Sequence, residues 1–256
     1  MNTHSHAFFD LDGTIYVDGV LVPGVRASLE ALDESGTKIF YMTNNTSIKL
    51  NHYYKKIKNL GLPVNENSVV SPVLPLCDWI NKKCIKRFFA VGTAEFVEDI
   101  VSFSSASLDV LDPELVIVAF DKELSYNKVA RAAELINKGV PWVITNIDKC
   151  CPTAKGPIPD CGSIADLIFS TTNIKYTKHF GKPSLEMIRQ VSQLSENSTS
   201  ILVAGDRIYT DVEIGLSLGA TTVLVCTGEY SLEDAVTLSG DFEVHDSLPD
   251  YLNGLF

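Results

Sequence analysis

The sequence predicts an α/β protein, a doubly wound parallel sheet with a smaller α/β domain inserted in its middle. Strand-length apolar runs alternate with segments of helical periodicity, and this alternation implies crossover connections and a mostly parallel sheet. A second set of such elements begins near residue 86, and the first pattern resumes near residue 178. We therefore expect a core formed by residues 1–82 and 178–256, interrupted by an inserted domain of residues 83–177.

The elements of the first part follow from β-rich runs and from the spacing of apolar residues. Val25, Leu29 and Leu32 share one face of a helical pattern that lies between Gly24 and Gly36, and glycine is a common residue at helix ends. Strands are predicted at residues 6–10, 38–42 and 69–70, and helices at residues 24–36, 54–61 and 74–81.

The elements of the second part follow the same rules. In the inserted domain, strands are predicted at residues 88–91, 115–120 and 142–145, and helices at residues 94–101, 127–137 and 163–170. In the resumed core, helices are predicted at residues 184–193 and 211–218, and strands at residues 201–204 and 222–225. A loop rich in Gly, Pro and Cys spans residues 146–162, and loops of this length usually carry function or are disordered.

Composition and charge exclude several classes of function. The 256 residues include 21 Lys and Arg and 32 Asp and Glu, which gives a formal net charge of −11. Binding to nucleic acid or to an anionic membrane needs a basic face, so we expect neither partner. No apolar run approaches the roughly 18 residues of a spanning helix, and the six cysteines form no CxxC pair. We expect reduced thiols and a cytoplasmic location.

Acidic residues follow two of the predicted strands. Asp10 and Asp12 stand at the end of the first strand, and Asp206 follows a later one. Ligands of open parallel sheets bind outside the carboxyl ends of the strands, and residues i and i+2 of an extended segment point to the same side. Carboxylates this close repel one another unless a cation lies between them. The set favours a magnesium site, whereas Asp10 and Asp12 alone would also fit a solvated turn.

Three further residues suit a phosphoryl group beside this cation. Lys182 precedes a predicted helix, and Thr43 and Asn44 follow a predicted strand. A lysine supplies a point positive charge to a phosphate oxygen, and a hydroxyl and an amide are neutral donors. Taken alone, Lys182 would be interpreted as a solvated side chain. Combined with the carboxylates, the three residues predict a site that binds a phosphoryl group next to Mg²⁺.

Four segments of the chain resemble, in order, the four motifs of the haloacid dehalogenase-like superfamily: residues 10–14 (DLDGT), 43–45 (TNN), 181–183 (GKP) and 205–211 (GDRIYTD). The chain is most similar to the NagD-like, p-nitrophenyl phosphatase branch, subclass IIA. The long insertion between the second and third motifs matches the cap domain of that branch, and residues 145–148 (TNID) and 159–164 (PDCGSI) resemble its cap signatures. The resemblance covers essentially the whole chain.

The resemblance implies a role for each acidic residue. Asp10 would be the nucleophile that forms an aspartyl-phosphate, and also a Mg²⁺ ligand. Asp12 would be the general acid for the leaving group and then the base for water, with its backbone carbonyl on the metal. Asp206 would be the third protein ligand, and Asp211 would support the metal shell or a bound water. For Asp12 to act as an acid, its pKa must lie well above the usual value of about 3.9.

The resemblance also implies the phosphoryl ligands and the reaction. Thr43, Asn44 and Asn45 would hold the phosphoryl oxygens, and Lys182 would neutralise Asp10 and the phosphate. A carboxylate at the position of Asp12 is typical of the phosphatases of this superfamily. We expect a Mg²⁺-dependent phosphatase that hydrolyses phosphomonoesters of small metabolites, of the sugar phosphate, nucleotide monophosphate or p-nitrophenyl phosphate type.

Two other functions use the same residue types. A phosphotransferase or phosphomutase would form the same aspartyl-phosphate and pass it to an acceptor other than water. A non-catalytic phosphate-binding protein of the receiver type ranks last, because receivers are about 120 residues long and have no inserted domain. The branch also implies dimerisation through the cap domain.

The sequence does not assign a single role to several residues of the loop and the motifs. Asp148 is interpreted either as a substrate contact or as a carboxylate that caps the loop. Cys151 occupies a position where some relatives have a histidine, and no histidine near it in sequence would activate its thiol. Arg207 is expected to pair with a nearby acid. The role of His179 is left open.

Overall fold

The computed structural model describes residues 4–153, 155–235 and 238–255. The strands are β1 (His6–Asp10), β2 (Tyr16–Val17), β3 (Val20–Leu21), β4 (Lys38–Met42), β5 (Val69–Val70), β6 (Arg87–Val91), β7 (Ser107–Leu108), β8 (Leu115–Val118), β9 (Trp142–Ile144), β10 (Cys150–Cys151), β11 (Ile158–Pro159), β12 (Ile201–Gly205), β13 (Thr221–Val225) and β14 (Glu243–His245). The α-helices are α1 (Val25–Glu34), α2 (Leu50–Asn59), α3 (Val73–Lys82), α4 (Ala94–Phe103), α5 (Tyr126–Asn137), α6 (Cys161–Thr172), α7 (Leu185–Leu194), α8 (Glu213–Leu218), α9 (Leu232–Ala235) and α10 (Leu248–Asn253).

The larger sheet has six strands in the order β14-β13-β12-β1-β4-β5, and all neighbours are parallel. From β1 the chain proceeds to β4 and β5 on one side, and it returns through β12 on the other side of β1. The strand order therefore reverses at β1. In an open parallel sheet, the crevice at such a reversal is where ligands bind, outside the carboxyl ends of the strands.

The smaller sheet has four parallel strands in the order β7-β6-β8-β9. All of them lie in the chain segment between β5 and β12, so the predicted α/β fold with a smaller inserted sheet is confirmed. The exact boundaries of the inserted domain stay a prediction. Helix α3, which precedes the proposed boundary, packs Leu76 and Ile80 in the same apolar cluster as Phe88 of the smaller sheet.

Apolar clusters cover both faces of each sheet. On one face of the larger sheet the rings of Phe8 and Phe40 stack with centroids 4.7 Å apart, and Met187 of α7 packs in the same cluster. Full burial of such a side chain stabilises the fold by roughly 1.5–3 kcal/mol. The polar ends of β1, β4 and β12 are thus held on a rigid apolar base.

Several local features differ from the prediction. The segment predicted as a loop over residues 146–162 contains the antiparallel strands β10 and β11 and the first residues of α6, and β7, β14, α9 and α10 were not predicted. Strands β2 and β3 form an antiparallel hairpin directly after Asp12 and Gly13, and strands of two residues are too short to show an alternating pattern. The helix predicted over residues 211–218 is wrong at its start, because a π-helical turn covers Ile208–Val212 before α8. Among the described residues, no helix combines the length and apolar character needed to cross a membrane.

Candidate active site

Three parallel strands bring the predicted acidic and hydroxyl residues to one edge of the larger sheet. Asp10 is the last residue of β1 and lies opposite Met42 of β4, directly before Thr43. On its other side β1 pairs with β12, which ends immediately before Asp206. Asp10, Thr43 and Asp206 are all buried. Residues far apart in sequence therefore meet at the crevice where the strand order reverses.

Lys182 lies between two of the carboxylates. Its Nζ donates to Asp10 Oδ1 and, at 2.6 Å, to Asp211 Oδ1, and the side chain is almost completely buried. Burial by itself lowers the pKa of Lys182, but Asp10 and Asp211 raise the pKa above its ordinary value. The ammonium is therefore charged at neutral pH and forms the positive centre of the site.

The carboxylates outnumber this single charge. Asp10, Asp206 and Asp211 each offer an oxygen atom within 4.8 Å of the others, so three carboxylates and one ammonium give a formal charge of −2. Burial and the neighbouring Asp211 together raise the pKa of Asp206 to about 7, against the opposing effect of Arg207. Burial likewise raises the pKa of Asp10, with Lys182 opposing. Without a further cation, the ionised form of this cluster is disfavoured.

Two oxygen atoms of the cluster lack partners. Asp10 Oδ2 and Asp206 Oδ1 are buried and accept no hydrogen bond from any described residue. Buried carboxylate oxygens without donors are costly, and an all-oxygen donor set with excess negative charge suits a hard divalent ion. The residues present fit a magnesium ion. Asp211, expected to support the metal shell, lies in this group; the predicted contribution of the Asp12 carbonyl stays a prediction.

Glycines leave room for Asp206. A Cβ atom at Gly13, where φ is +105°, would lie 2.5 Å from Asp206 Oδ2, and one at Gly228 would overlap the same carboxylate. The Glu229 backbone N–H donates to Asp206 Oδ2 at 2.9 Å. Gly228 and Glu229 were not predicted from the sequence, because they follow β13, whose end carries no acidic motif.

Asn44 connects the phosphoryl-binding motif to Lys182 and to loop 146–162. Its Oδ1 accepts from the Lys182 backbone N–H at 2.7 Å, and its Nδ2 donates to Asp148 Oδ2 at 3.1 Å. Asn146 Nδ2 donates to the Asn44 carbonyl at 2.8 Å. Asn44 thus fixes the backbone that carries Lys182, and this position is compatible with the predicted contact to a phosphoryl oxygen.

Thr43 and Asn45 form a tight turn beside Asn44. Thr43 Oγ1 accepts from the Asn45 backbone N–H at 3.1 Å, and Asn45 Oδ1 accepts from the Ser47 backbone N–H at 3.0 Å. Both residues line the same small cavity as Asp10, Asp12 and Lys182. The structure therefore brings together at this cavity every predicted phosphoryl ligand.

Asp12 has the electrostatic surroundings of an acid. It is half-buried at the cavity; burial raises the pKa of its carboxyl, and Lys56 and Lys182 oppose that effect. Lys56 Nζ lies 3.6 Å from the ring centroid of Tyr16, just after the Asp12 turn. A carboxyl with a raised pKa holds its proton closer to neutral pH, as general-acid catalysis requires.

Loop 146–162 forms the opposite wall of the cavity, whose volume is about 30 Å³, with Asp148, Cys151 and Asp160 among its lining residues. Asp148 pairs with Arg207 at 3.0 Å, and its Oδ1 is buried with no hydrogen-bond partner in the described part of the chain. Burial raises the pKa of the Cys151 thiol to about 12, so this thiol is protonated at neutral pH and is a poor nucleophile.

His179 lies outside the lining of this cavity. Its backbone pairs with that of Ile144, at the end of β9, in an isolated parallel β-bridge. Burial lowers the pKa of its imidazole. Asp160 was not assigned to the site from the sequence, where its only signal was its position within a cap signature. Arg207 was expected to pair with a nearby acid, and it pairs with Asp148 and Glu229.

Asp160 provides a pH-dependent prediction. Burial raises its pKa from 3.8 to about 7, opposed by the Cys161 backbone N–H that Asp160 caps. The folded state therefore binds this proton more tightly than the unfolded state, and the stability that results is lost as the pH rises from 3.8 towards 7. Asp160→Asn does not titrate and keeps the cap. We expect its unfolding free energy, relative to the wild type, to increase by on the order of 2 kcal/mol between about pH 5 and pH 8.

Urea denaturation of both proteins at several pH values measures this difference. Asp166→Asn, on the exposed part of α6, is the matched control. A difference between wild type and Asp160→Asn that stays constant with pH would show that Asp160 does not titrate in this range.

A parallel α/β sheet that places buried carboxylates and one buried lysine at the ends of its strands is typical of a class of proteins that act on phosphoryl groups. Family models agree with this class: a haloacid dehalogenase-like hydrolase model matches residues 7–103, and a HAD-hydrolase-like model matches residues 179–251.

The similar solved structures include a 4-nitrophenylphosphatase from Thermotoga maritima, 31% identical, covering 97% of this chain and 96% of that chain with a TM-score of 0.89. NagD from E. coli K-12 has the same fold, with 22% identity, 97% and 98% coverage and a TM-score of 0.83. An acid sugar phosphatase from Staphylococcus aureus is 24% identical over 239 residues, 91% of each chain. The chain belongs to the haloacid dehalogenase-like hydrolase family, in its NagD-like subclass IIA, and is a phosphoric monoester hydrolase.

Proposed function

We propose that this protein is a Mg²⁺-dependent phosphatase that hydrolyses phosphomonoesters of small metabolites through an aspartyl-phosphate on Asp10. The observation that carries the proposal is the arrangement around Asp10. One of its carboxylate oxygens accepts from Lys182, and the other is buried with no donor among the residues that the structure describes. Asp206 and Asp211 lie beside it. This arrangement combines a nucleophile, a fixed positive charge and oxygen ligands for a divalent cation.

The chemistry of the proposal divides into two displacements. In the first, the Asp10 carboxylate attacks phosphorus, the bond to the leaving oxygen breaks, and Asp12 gives its proton to that oxygen. In the second, Asp12 takes a proton from water, which attacks the phosphorus and releases phosphate and the free Asp10 carboxylate. Mg²⁺ held by Asp10 and Asp206, with Asp211 supporting, would neutralise the charge of the phosphoryl oxygens.

The substrate class follows from the groups opposite Asp12. Asp148 and Asp160 line the cavity on the side of loop 146–162, and Asp148 Oδ1 has no donor among the described residues. Carboxylate oxygens accept hydrogen bonds from hydroxyl groups, so we favour sugar phosphates and related hydroxylated phosphomonoesters. The name of the staphylococcal relative supports the same class. Nucleotide monophosphates and p-nitrophenyl phosphate remain substrates to compare.

Assembly and location belong to the same proposal. Leu111 and Tyr126 of the inserted segment are each 85% exposed, and exposed apolar side chains mark an interaction surface where they form a contiguous patch. We propose a homodimer through this domain; a monomer in sedimentation equilibrium at micromolar concentration would contradict it.

We also propose a cytoplasmic location. The six free cysteines support this location, because the cytoplasm keeps thiols reduced, and localisation of the tagged full chain tests it.

Metal removal tests the proposed function. After EDTA treatment and desalting, we expect release of phosphate from p-nitrophenyl phosphate and from a panel of sugar phosphates to stop, and added Mg²⁺ to restore it. Mg²⁺ should also raise the unfolding free energy, by about 2.7 kcal/mol at a concentration 100 times Kd, because it neutralises the buried carboxylates. Full turnover in the chelated protein, with no thermal shift on adding Mg²⁺, would overturn the proposal.

A further inference from the structure

Arg207 joins the larger sheet to loop 146–162. It follows Asp206 at the end of β12, and its side chain is only 13% exposed. Its Nη1 lies 3.0 Å from Asp148 Oδ2, and its Nη2 donates to the Cys150 carbonyl at 3.5 Å. Both partners belong to loop 146–162, so one side chain of the larger sheet contacts this loop at two points.

The same guanidinium also contacts the segment that holds Asp206. Arg207 Nε lies 3.1 Å from Glu229 Oε2, and the Glu229 backbone N–H donates to Asp206 Oδ2. A planar guanidinium can serve several acceptors at once, whereas an ammonium is a point charge. Arg207 is therefore suited to contact the loop and the Asp206 segment at the same time.

On the other side of the cavity, Asp148 is connected to Lys182 through hydrogen bonds of Asn44. The Asp148 oxygen that faces Arg207 also accepts from Asn44 Nδ2, and Asn44 Oδ1 accepts from the Lys182 backbone N–H. A continuous set of contacts thus joins Asp206 to Lys182 through Arg207 and Asp148. Loss of one member of a buried ion pair leaves the other charge uncompensated, so this set is sensitive to each member.

We propose that Arg207 is a positioning residue: by pairing with Asp148 it holds loop 146–162 closed over the site, and this closure fixes the geometry of Asp206 and Lys182. The inference rests on the proposed function. It assigns Arg207 no contact with the substrate; the residue acts through Asp148 and Glu229. An isolated ion pair without a positioning role would leave the loop and the kinetic constants unchanged when it is removed.

Kinetics of variants provide the first test. We expect Arg207→Gln to lower kcat by about 100-fold, the scale of a small misplacement of catalytic groups, with a much smaller change in KM. Arg207→Lys should recover part of the loss because it keeps the charge next to Asp148. Lys149→Gln, in the exposed pair with Asp166, is the matched control and should behave as the wild type.

Thiol labelling provides a readout that does not depend on activity. In a background with Cys84, Cys150 and Cys226 changed to serine, Cys151 is the half-buried thiol of loop 146–162, and Cys77 and Cys161 are buried. We expect N-ethylmaleimide to modify Cys151 several-fold faster in Arg207→Gln than in the parent, and Lys149→Gln to leave the rate unchanged.

The outcomes separate this inference from the proposed function. A wild-type labelling rate in Arg207→Gln, or equal losses in the Arg207 and Lys149 variants, overturns the positioning role. Absence of turnover in the wild-type protein contradicts the proposed function, and the labelling rates then decide the role of Arg207 alone. If Arg207→Gln does not fold, Arg207→Lys carries both measurements, because it retains a buried positive charge.

Discussion

Asp10→Asn is expected to reduce phosphate release from p-nitrophenyl phosphate by roughly 10⁴-fold or more, the scale seen when a nucleophile is removed. The carboxamide oxygen of asparagine is a weak nucleophile, and it binds a divalent cation less strongly than a carboxylate. The loss should not come from unfolding. Replacing one of three neighbouring carboxylates reduces their repulsion, so we expect the melting temperature in EDTA to be at least that of the wild type.

Steady-state kinetics and mass spectrometry of acid-quenched enzyme measure this effect. The wild-type protein should show an added phosphoryl group that hydroxylamine removes, and Asp10→Asn should show none. Asp18→Asn, in the exposed hairpin after the site and at a positive φ of 50° that asparagine tolerates, is the matched control. Substantial turnover by Asp10→Asn would remove Asp10 from its role as nucleophile.

Lys182→Met is the second change with a large expected effect, because Lys182 is the positive charge shared by Asp10 and Asp211. Without it, these buried carboxylates have no cationic partner of comparable proximity among the described residues. Breaking a buried pair in this way costs about 3–5 kcal/mol, and the transferring phosphoryl group loses a compensating charge. We expect kcat/KM to fall by about 10³-fold, the upper range for removal of one electrostatic contact.

Urea denaturation and kinetics with and without Mg²⁺ separate the two losses. Mg²⁺ should recover part of the stability of Lys182→Met, because it also neutralises the carboxylates, while the rate stays low. Lys175→Met, at an exposed position before the same motif, should match the wild type in both measurements. A stable and fully active Lys182→Met would show that its charge is not needed.

Much of the fold could be predicted because its signals are local. The strands at Asp10 and Val70 end where the apolar runs predict, since buried parallel strands are continuous apolar segments. The hairpin at Tyr16 was missed because two-residue strands have no periodicity. The helix before Leu218 was misplaced because the preceding turn is π-helical; π-turns are frequent at functional sites, and here Asp211 also accepts from the Arg207 backbone N–H at 3.2 Å.

The site divides in the same way. Asp10, Asp206 and Lys182 could be assigned from the sequence because each stands next to an apolar strand or before a helix, within a short motif of specific residue types. The sequence could not identify which acid pairs with Arg207. Asp148 lies 59 positions away, and the contact forms only when loop 146–162 packs against the larger sheet. The sequence also could not predict that Asp10 Oδ2 and Asp206 Oδ1 have no hydrogen-bond donor within the described ranges.

The sequence by itself determined the alternation of the main strands and helices, the family and the types of reacting groups, because these depend on local patterns and on the chemistry of single residues. Only the tertiary structure decided which charges share one small volume, how Lys182 is divided between Asp10 and Asp211, and which acid Arg207 contacts. Those relations depend on distances between segments that the strand order and the packing of the loop bring together, and electrostatic energies change steeply with such distances.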